Sequence, residues 1–117
     1  MKFEVALLED DIKQISLIGR MDIQGTSTIE DPFTIQTASK KGGVIVDMSQ
    51  IEFIASYGVR ILVSNAKSLT GRGGKMVLLK PTPMVKDVLV SAGIDQIIPI
   101  YDDIESAIGD VKAAVTD

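Results

Sequence analysis

The 117-residue chain predicts an α/β fold: a mixed sheet of four to five strands with about four helices packed on it, in a single domain over residues 1–117. Three observations lead there. Two apolar-rich segments joined by an acidic turn open the chain as a hairpin. Two β-branched runs follow, each entered by a pair of glycines. Amphipathic segments with 3.6-residue spacing separate and follow those runs.

Taken in order, FEVALL (3–8) and IKQISLIG (12–19) are the hairpin strands, turning at Asp10 and Asp11. The segment 22–41 has a helical pattern interrupted by Pro32, so its helix is expected to begin near Pro32 with Asp31 as cap. GGVIVDM (42–48) and KMVLL (75–79) are apolar on both faces and predict central strands, with SQIEFIA as the connection after the first. Between them, Val59, Leu62, Val63, Ala66 and Leu69 form the core stripe of a helix that Gly71, Gly73 and Gly74 stop. PTPMVKDVLVSAG predicts a helix capped by Thr82, with Pro83 at its first position and a stripe of Met84, Val85, Val88, Leu89 and Ala92. IIPI (97–100) is expected to pair at the sheet edge, since Pro99 has no N–H to give a ladder. Asp102 and Asp103 then lead a C-terminal helix carrying Ile104, Ala107, Ile108, Val111 and Val115.

Composition narrows function. Twelve Lys and Arg against 16 Asp and Glu give a net charge of -4 with no basic run, so no nucleic acid partner is expected. The chain has no Cys and no His, which removes thiol nucleophiles, imidazole bases and the common zinc ligands. An enzyme is therefore not expected, nor a metal or cofactor. GRGGKM (71–76) contains Gly-Lys, but Leu69 and Met76 stand where a phosphate loop needs Gly and Ser or Thr. The acidic pairs at 10–11 and 102–103 read as a turn and a helix cap, and Asp47 as a turn former. An acidic N-terminus without a long apolar core, and no run near the roughly 18 apolar residues of a membrane span, predict a cytoplasmic protein with no direct membrane insertion.

One hydroxyl stands out. Ser56 falls where strand hands over to helix, at the expected N-cap of a helix beginning near Tyr57. A capping role accounts for it, yet a phosphate would be tolerated at the same place, beside the positive end of the helix. With Val59, Leu62 and Ala66 turned inward, Tyr57, Arg60, Ile61, Ser64 and Ser68 fall on the opposite side. Tyr57, Arg60, Ile61 and Ser64 are the candidate partner surface, because Tyr and Arg are favoured anchors of interfaces.

GRMD (19–22), VIVDMSQIEFIASYGVRILVSNAK (44–67) and GGKMVLLKPTPMVKDVLVSAGIDQIIPIYDD (73–103) together resemble the STAS domains, named for sulfate transporters and anti-sigma factor antagonists. The resemblance covers nearly the whole chain, and the middle block is its specific part. It implies a STAS-like fold and the role of a stand-alone bacterial anti-sigma factor antagonist. Such a protein binds an anti-sigma factor that is also a serine kinase, is switched off when that kinase phosphorylates Ser56, and is restored by a serine phosphatase. Asp22 matches an aspartate close to the phosphoacceptor. Family members usually read Asp-Ser-Ser-Gly or Asp-Ser-Thr-Gly where this chain reads Ala55-Ser56-Tyr57-Gly58. The alternative is a phosphorylation-independent scaffold or accessory subunit of a stress-sensing or membrane transport complex, with Ser56 merely a cap. A small enzyme or nucleotide-binding domain is a third reading.

Overall fold

Strands that are apolar on both faces belong in the middle of a sheet covered on both sides. The computed structural model, which describes residues 1–9, 11–38 and 42–115, places both of the expected ones there. The elements are β1 (Lys2–Glu9), β2 (Ile12–Met21), α1 (Ile23–Ala38), β3 (Gly43–Ile54), α2 (Ser56–Gly71), β4 (Lys75–Leu79), α3 (Pro83–Ser91), a 3₁₀ turn (Ile94–Gln96), β5 (Ile100–Tyr101) and α4 (Ile104–Val115). The sheet order follows the chain, β1-β2-β3-β4-β5, with the first pair antiparallel and the remaining pairs parallel. Among the described residues the expected mixed sheet thus has five strands, with four α-helices packed on it.

Alternation along the strands divides the core. Val44, Val46, Met48, Met76 and Leu78 face one side, where they meet Phe33 of α1, Leu62 of α2 and Leu89 of α3. Ile12, Ile45, Val77 and Leu79 face the other, against Ala107 and Val111 of α4. Asp103 starts α4 by accepting the Ser106 N–H at 2.8 Å. Asp110 accepts from Lys75 Nζ at 2.7 Å and from the Tyr101 hydroxyl at 2.6 Å, which fixes α4 to β4 and β5.

Several elements differ from expectation. The first helix begins at Ile23, nine residues before Pro32, which lies inside it. Asp22 rather than Asp31 stands at its start, and Thr26, Ile29, Phe33 and Thr37 form a buried stripe that continues past the proline. Packing of that stripe outweighs the one backbone hydrogen bond Pro32 removes. The strand predicted over 42–48 runs on to Ile54. A register shift opposite Leu17 interrupts it, and there Asp47 bends the strand locally by accepting the Ser49 N–H at 2.9 Å. The last strand is Ile100–Tyr101 rather than 97–100, and Pro99 lies just before it, its carbonyl accepting the Leu78 N–H. α2 ends at Gly71 and β4 starts at Lys75, so the glycine cluster stops a helix as expected. Thr82 occupies the cap position of α3, but its hydroxyl points to the Ile51 carbonyl instead of capping. Asp11 takes the turn with φ 65°, while Asp10 lies outside the described residues.

Two carboxyls hold α4, and both titrate low. The backbone N–H and hydroxyl of Ser106 keep Asp103 below its ordinary 3.8. For Asp110, desolvation pushes upward, but hydrogen bonds from Lys75 and Tyr101 and the Lys75 charge more than offset it, leaving it below 3.8. A depressed folded-state value means the unfolded chain binds the proton more readily. The stabilisation is therefore complete above about pH 5 and is lost as pH falls through 4 and below. The urea midpoint should fall between pH 5 and pH 3, and Asp110→Asn should make that decline shallower; an unchanged slope would contradict the assignment.

Candidate functional site

β2 and β3 end together. Met21 and Ile54 are paired across the two parallel strands, and the Ala55 N–H donates to the Met21 carbonyl at 3.0 Å. Each chain then turns at once into a helix, so the starts of α1 and α2 lie side by side at one edge of the sheet. Asp22 caps α1: its Oδ1 accepts the Gly25 N–H at 2.8 Å, and its Oδ2 lies 3.7 Å from Arg20 Nε. The Arg20 guanidinium in turn lies 4.6 Å over the Phe53 ring. Both helices carry a glycine in the first turn, where space is closed at the first and tight at the second. A Cβ on Gly25 would stand 2.0 Å from the Arg20 carbonyl oxygen, and one on Gly58 would stand 3.0 Å from Met21 Cβ and 3.1 Å from Ile54 Cγ1.

Ser56 does not cap α2. Ala55 is the cap, in extended conformation (φ -107°, ψ 173°) and with no side-chain hydrogen bond to give, and Ser56 is the first helical residue. The longer β3 explains the change, since it delivers the chain to Ala55 with no loop left for a cap at Ser56. Ser56 is exposed, and among the described residues its hydroxyl has no hydrogen-bond partner. It lines a hollow of about 260 Å³ with Val59 and Arg60 of α2 and Val88 and Ala92 of α3.

The other site residues of the sequence reading separate. Tyr57 is half-buried, and its hydroxyl donates to Glu30 of α1. That hydrogen bond, then desolvation and the Glu30 charge, push the phenol above its usual 10.0. Arg60 is exposed, with its guanidinium 5.1 Å above the Tyr57 ring. Ser64 is exposed too, in a second hollow between α1 and α2 that Arg60 shares. Ile61, expected on the outer surface, is only 4% exposed and belongs to the core. The buried face of α2 is Gly58, Ile61, Leu62, Asn65, Ala66 and Leu69, while Val59 and Val63 are half-buried. The helix is turned relative to the expected stripe because α1 packs against it as well as the sheet. Asn65 accepts from the Thr37 hydroxyl of α1 at 2.9 Å and donates to the Ile61 carbonyl. Asp22 opens onto a different hollow from Ser56, with Gly19 and Glu52.

Three surface residues were absent from the sequence-based site. Met84 and Val88, assigned to the core stripe of α3, are 62% and 39% exposed, and Ala92 is exposed beside them; Val85 and Leu89 alone are buried. The signal was available. At about 100° per residue the five apolar positions of α3 spread over an arc of about 140°, wider than a nine-residue helix buries against one sheet. Among the described residues no three carboxylates group to hold a metal ion, and no helix is long and apolar enough to cross a membrane.

Comparison with known proteins gives consistent matches. The family described as the STAS domain matches residues 6–107. A Thermotoga maritima protein, named provisionally as an anti-sigma factor antagonist, is 32% identical over 69 residues, 59% of this chain and 61% of that relative's length. Among solved structures, an anti-sigma factor antagonist from Mycobacterium paratuberculosis superposes with a TM-score of 0.84 at 21% identity, over 95% of this chain and 93% of that one. The antagonist SpoIIAA in its unphosphorylated form gives 0.77 at 22% identity, over 98% and 100% of the two chains. The Bacillus protein in its phosphorylated form gives 0.67 at 22%, over 94% and 99%. At these identities the structural likenesses establish the fold.

The close seat of α2 on the strand ends sets a limit on position 58. Gly58→Ala gains helix propensity of about 1 kcal/mol, which offsets the small displacement of Met21 and Ile54. Gly58→Val adds two methyl groups against the same atoms and should lower stability by about 1–3 kcal/mol, read from urea unfolding. Equal stability of the valine variant would show that α2 is not seated as described.

Proposed function

The chain belongs to the STAS domain family, and we propose that it works as an anti-sigma factor antagonist: it binds an anti-sigma factor that is a serine kinase, and phosphorylation of Ser56 switches it off. The observation that carries this reading is the exposed Ser56 hydroxyl, which has no structural duty in the helix it begins and borders an apolar hollow between α2 and α3. The partner surface centres on that hollow. Arg60 and the exposed Val88 and Ala92 line it, and Tyr57 acts as a brace held by Glu30. Solved forms of the fold relative SpoIIAA with and without phosphate support the same kind of switch.

The chemistry asked of this chain is small. The kinase supplies ATP and Mg²⁺; Ser56 Oγ forms a bond to the γ-phosphorus, ADP leaves with the bridging oxygen, and the hydroxyl proton passes to a base of the kinase. The product carries about -1.5 to -2 of charge at neutral pH. Placed at the rim of an apolar contact, that charge has to be desolvated for binding, and the complex is lost. A serine phosphatase reverses the change by hydrolysis. The host helix is unharmed, because its first turn favours negative charge. Ala55 at the cap leaves no carboxylate immediately before the phosphoacceptor, so the kinase has to recognise Ser56 through its surroundings.

The test is capture of partners from a lysate of the source organism with wild-type, Ser56→Ala and Ser56→Asp chains. A kinase-like anti-sigma factor should be retained by the first two and lost from the third. The same partners on all three would instead identify a scaffold whose binding is independent of Ser56.

A further inference from the structure

Arg60 lies one helical turn beyond Ser56, and it alone lines both hollows that flank the start of α2. On the α3 side it stands with Ser56, facing Val88 and Ala92; on the α1 side the charged groups facing it are Glu30 and Asp31. In the unmodified chain its guanidinium rests 5.1 Å over the Tyr57 ring, and Glu30 is already engaged by the Tyr57 hydroxyl. The cation thus sits on a ridge between an acidic groove and the phosphoacceptor, held mainly by an aromatic face.

We propose that Arg60 is a phosphate clamp built into this chain: once Ser56 is phosphorylated, the guanidinium leaves the Tyr57 ring and hydrogen-bonds the phosphate oxygens one turn back along α2. This rests on the reading of Ser56 as a phosphoacceptor. An anion followed four residues later by a cation is the favoured order on a helix. A guanidinium meets a phosphate with two parallel charge-assisted hydrogen bonds, a stronger arrangement than an exposed contact with a ring. The surroundings favour the move, since α3 offers Arg60 only apolar side chains to compete with the phosphate. The consequence is a switch with two parts. Phosphorylation adds negative charge at the rim of the hollow and at the same time withdraws the cation that a partner carboxylate would meet there. It also uncovers the Tyr57 ring.

The experiment uses the full chain with phosphoserine installed during translation at position 56, so no kinase is required. Phosphorus NMR follows the second ionisation of the phosphate, ordinarily near 6, in the Arg60, Arg60→Gln and Arg60→Lys backgrounds. The ionisation should lie about 0.2 to 0.4 of a pH unit lower with Arg60 than with Gln, with Lys between them. The helix N-terminus acts equally in all three, so the difference isolates the side chain. The Tyr57 ring protons should shift on phosphorylation in the Arg60 chain and stay in place in Arg60→Gln. Coincident titrations of the Arg60 and Gln chains, or a Tyr57 ring that ignores the phosphate in both, would overturn the clamp. Failure of any kinase to modify Ser56 would count against the function proposed above and leave this result standing.

Discussion

The pairing of Met21 with Ile54, closed by the Ala55 N–H on the Met21 carbonyl, is the constraint from which the site follows. It ends two parallel strands at the same level and sends both chains into helices without a loop. Two helix starts are thereby held side by side, one capped by Asp22 and the other beginning at Ser56. Because neither helix has slack at its start, the first turns must lie flush on the strand ends. Gly25 and Gly58 leave the room that a side chain would fill. A serine placed by such a junction has a fixed position and an open hydroxyl. Those are the properties a partner needs in order to find it and modify it.

The rest of the fold supports that edge from two sides. α2 is gripped by the sheet below and by α1 alongside, through the buried Thr37–Asn65 hydrogen bond and the bond from Tyr57 to Glu30. α3 leans in with only Val85 and Leu89 buried, which leaves Val88, and Ala92 just after the helix, at the surface beside Ser56. α4 occupies the opposite face of the sheet, with its own small core and its own carboxylate anchors. A rigid edge with a partly apolar rim is well suited to a switch that works by charge: the backbone need not move, and a phosphate changes only what the surface offers.

Much of this was legible in the sequence. The hairpin, the two central strands and the glycine stop after α2 all follow from local pattern, because alternation and turn chemistry act over a few residues. The errors share one cause, which is contact between elements distant in the chain. Pro32 marks a helix start by its own chemistry, yet the stripe from Thr26 to Thr37 packs on the sheet and carries the helix through it. Residues 49–54 have the polarity of a connection, but β2 extends alongside them and makes them strand. The strand extension moved the cap from Ser56 to Ala55. Packing of α1 turned Ile61 into the core, and the narrow seat of α3 turned Met84 and Val88 out of it. Ser56, Tyr57, Gly58, Arg60 and Asp22 could be singled out because they stand at strand ends and in a recognisable block. The exposed side of α3 was legible only in the width of its apolar arc, because an apolar helix position by itself does not say which element covers it.

On the function proposed above, the start of α2 and the exposed side of α3 form the surface that would engage an anti-sigma factor. Amide chemical-shift mapping of the chain, titrated with the anti-sigma factor once purified, tests it most directly. The perturbed residues should cluster at 56–60 and 88–92, with α4 and β5 unaffected. Perturbations confined to β1 or α4, with Ser56 and its neighbours unmoved, would place the partner surface elsewhere.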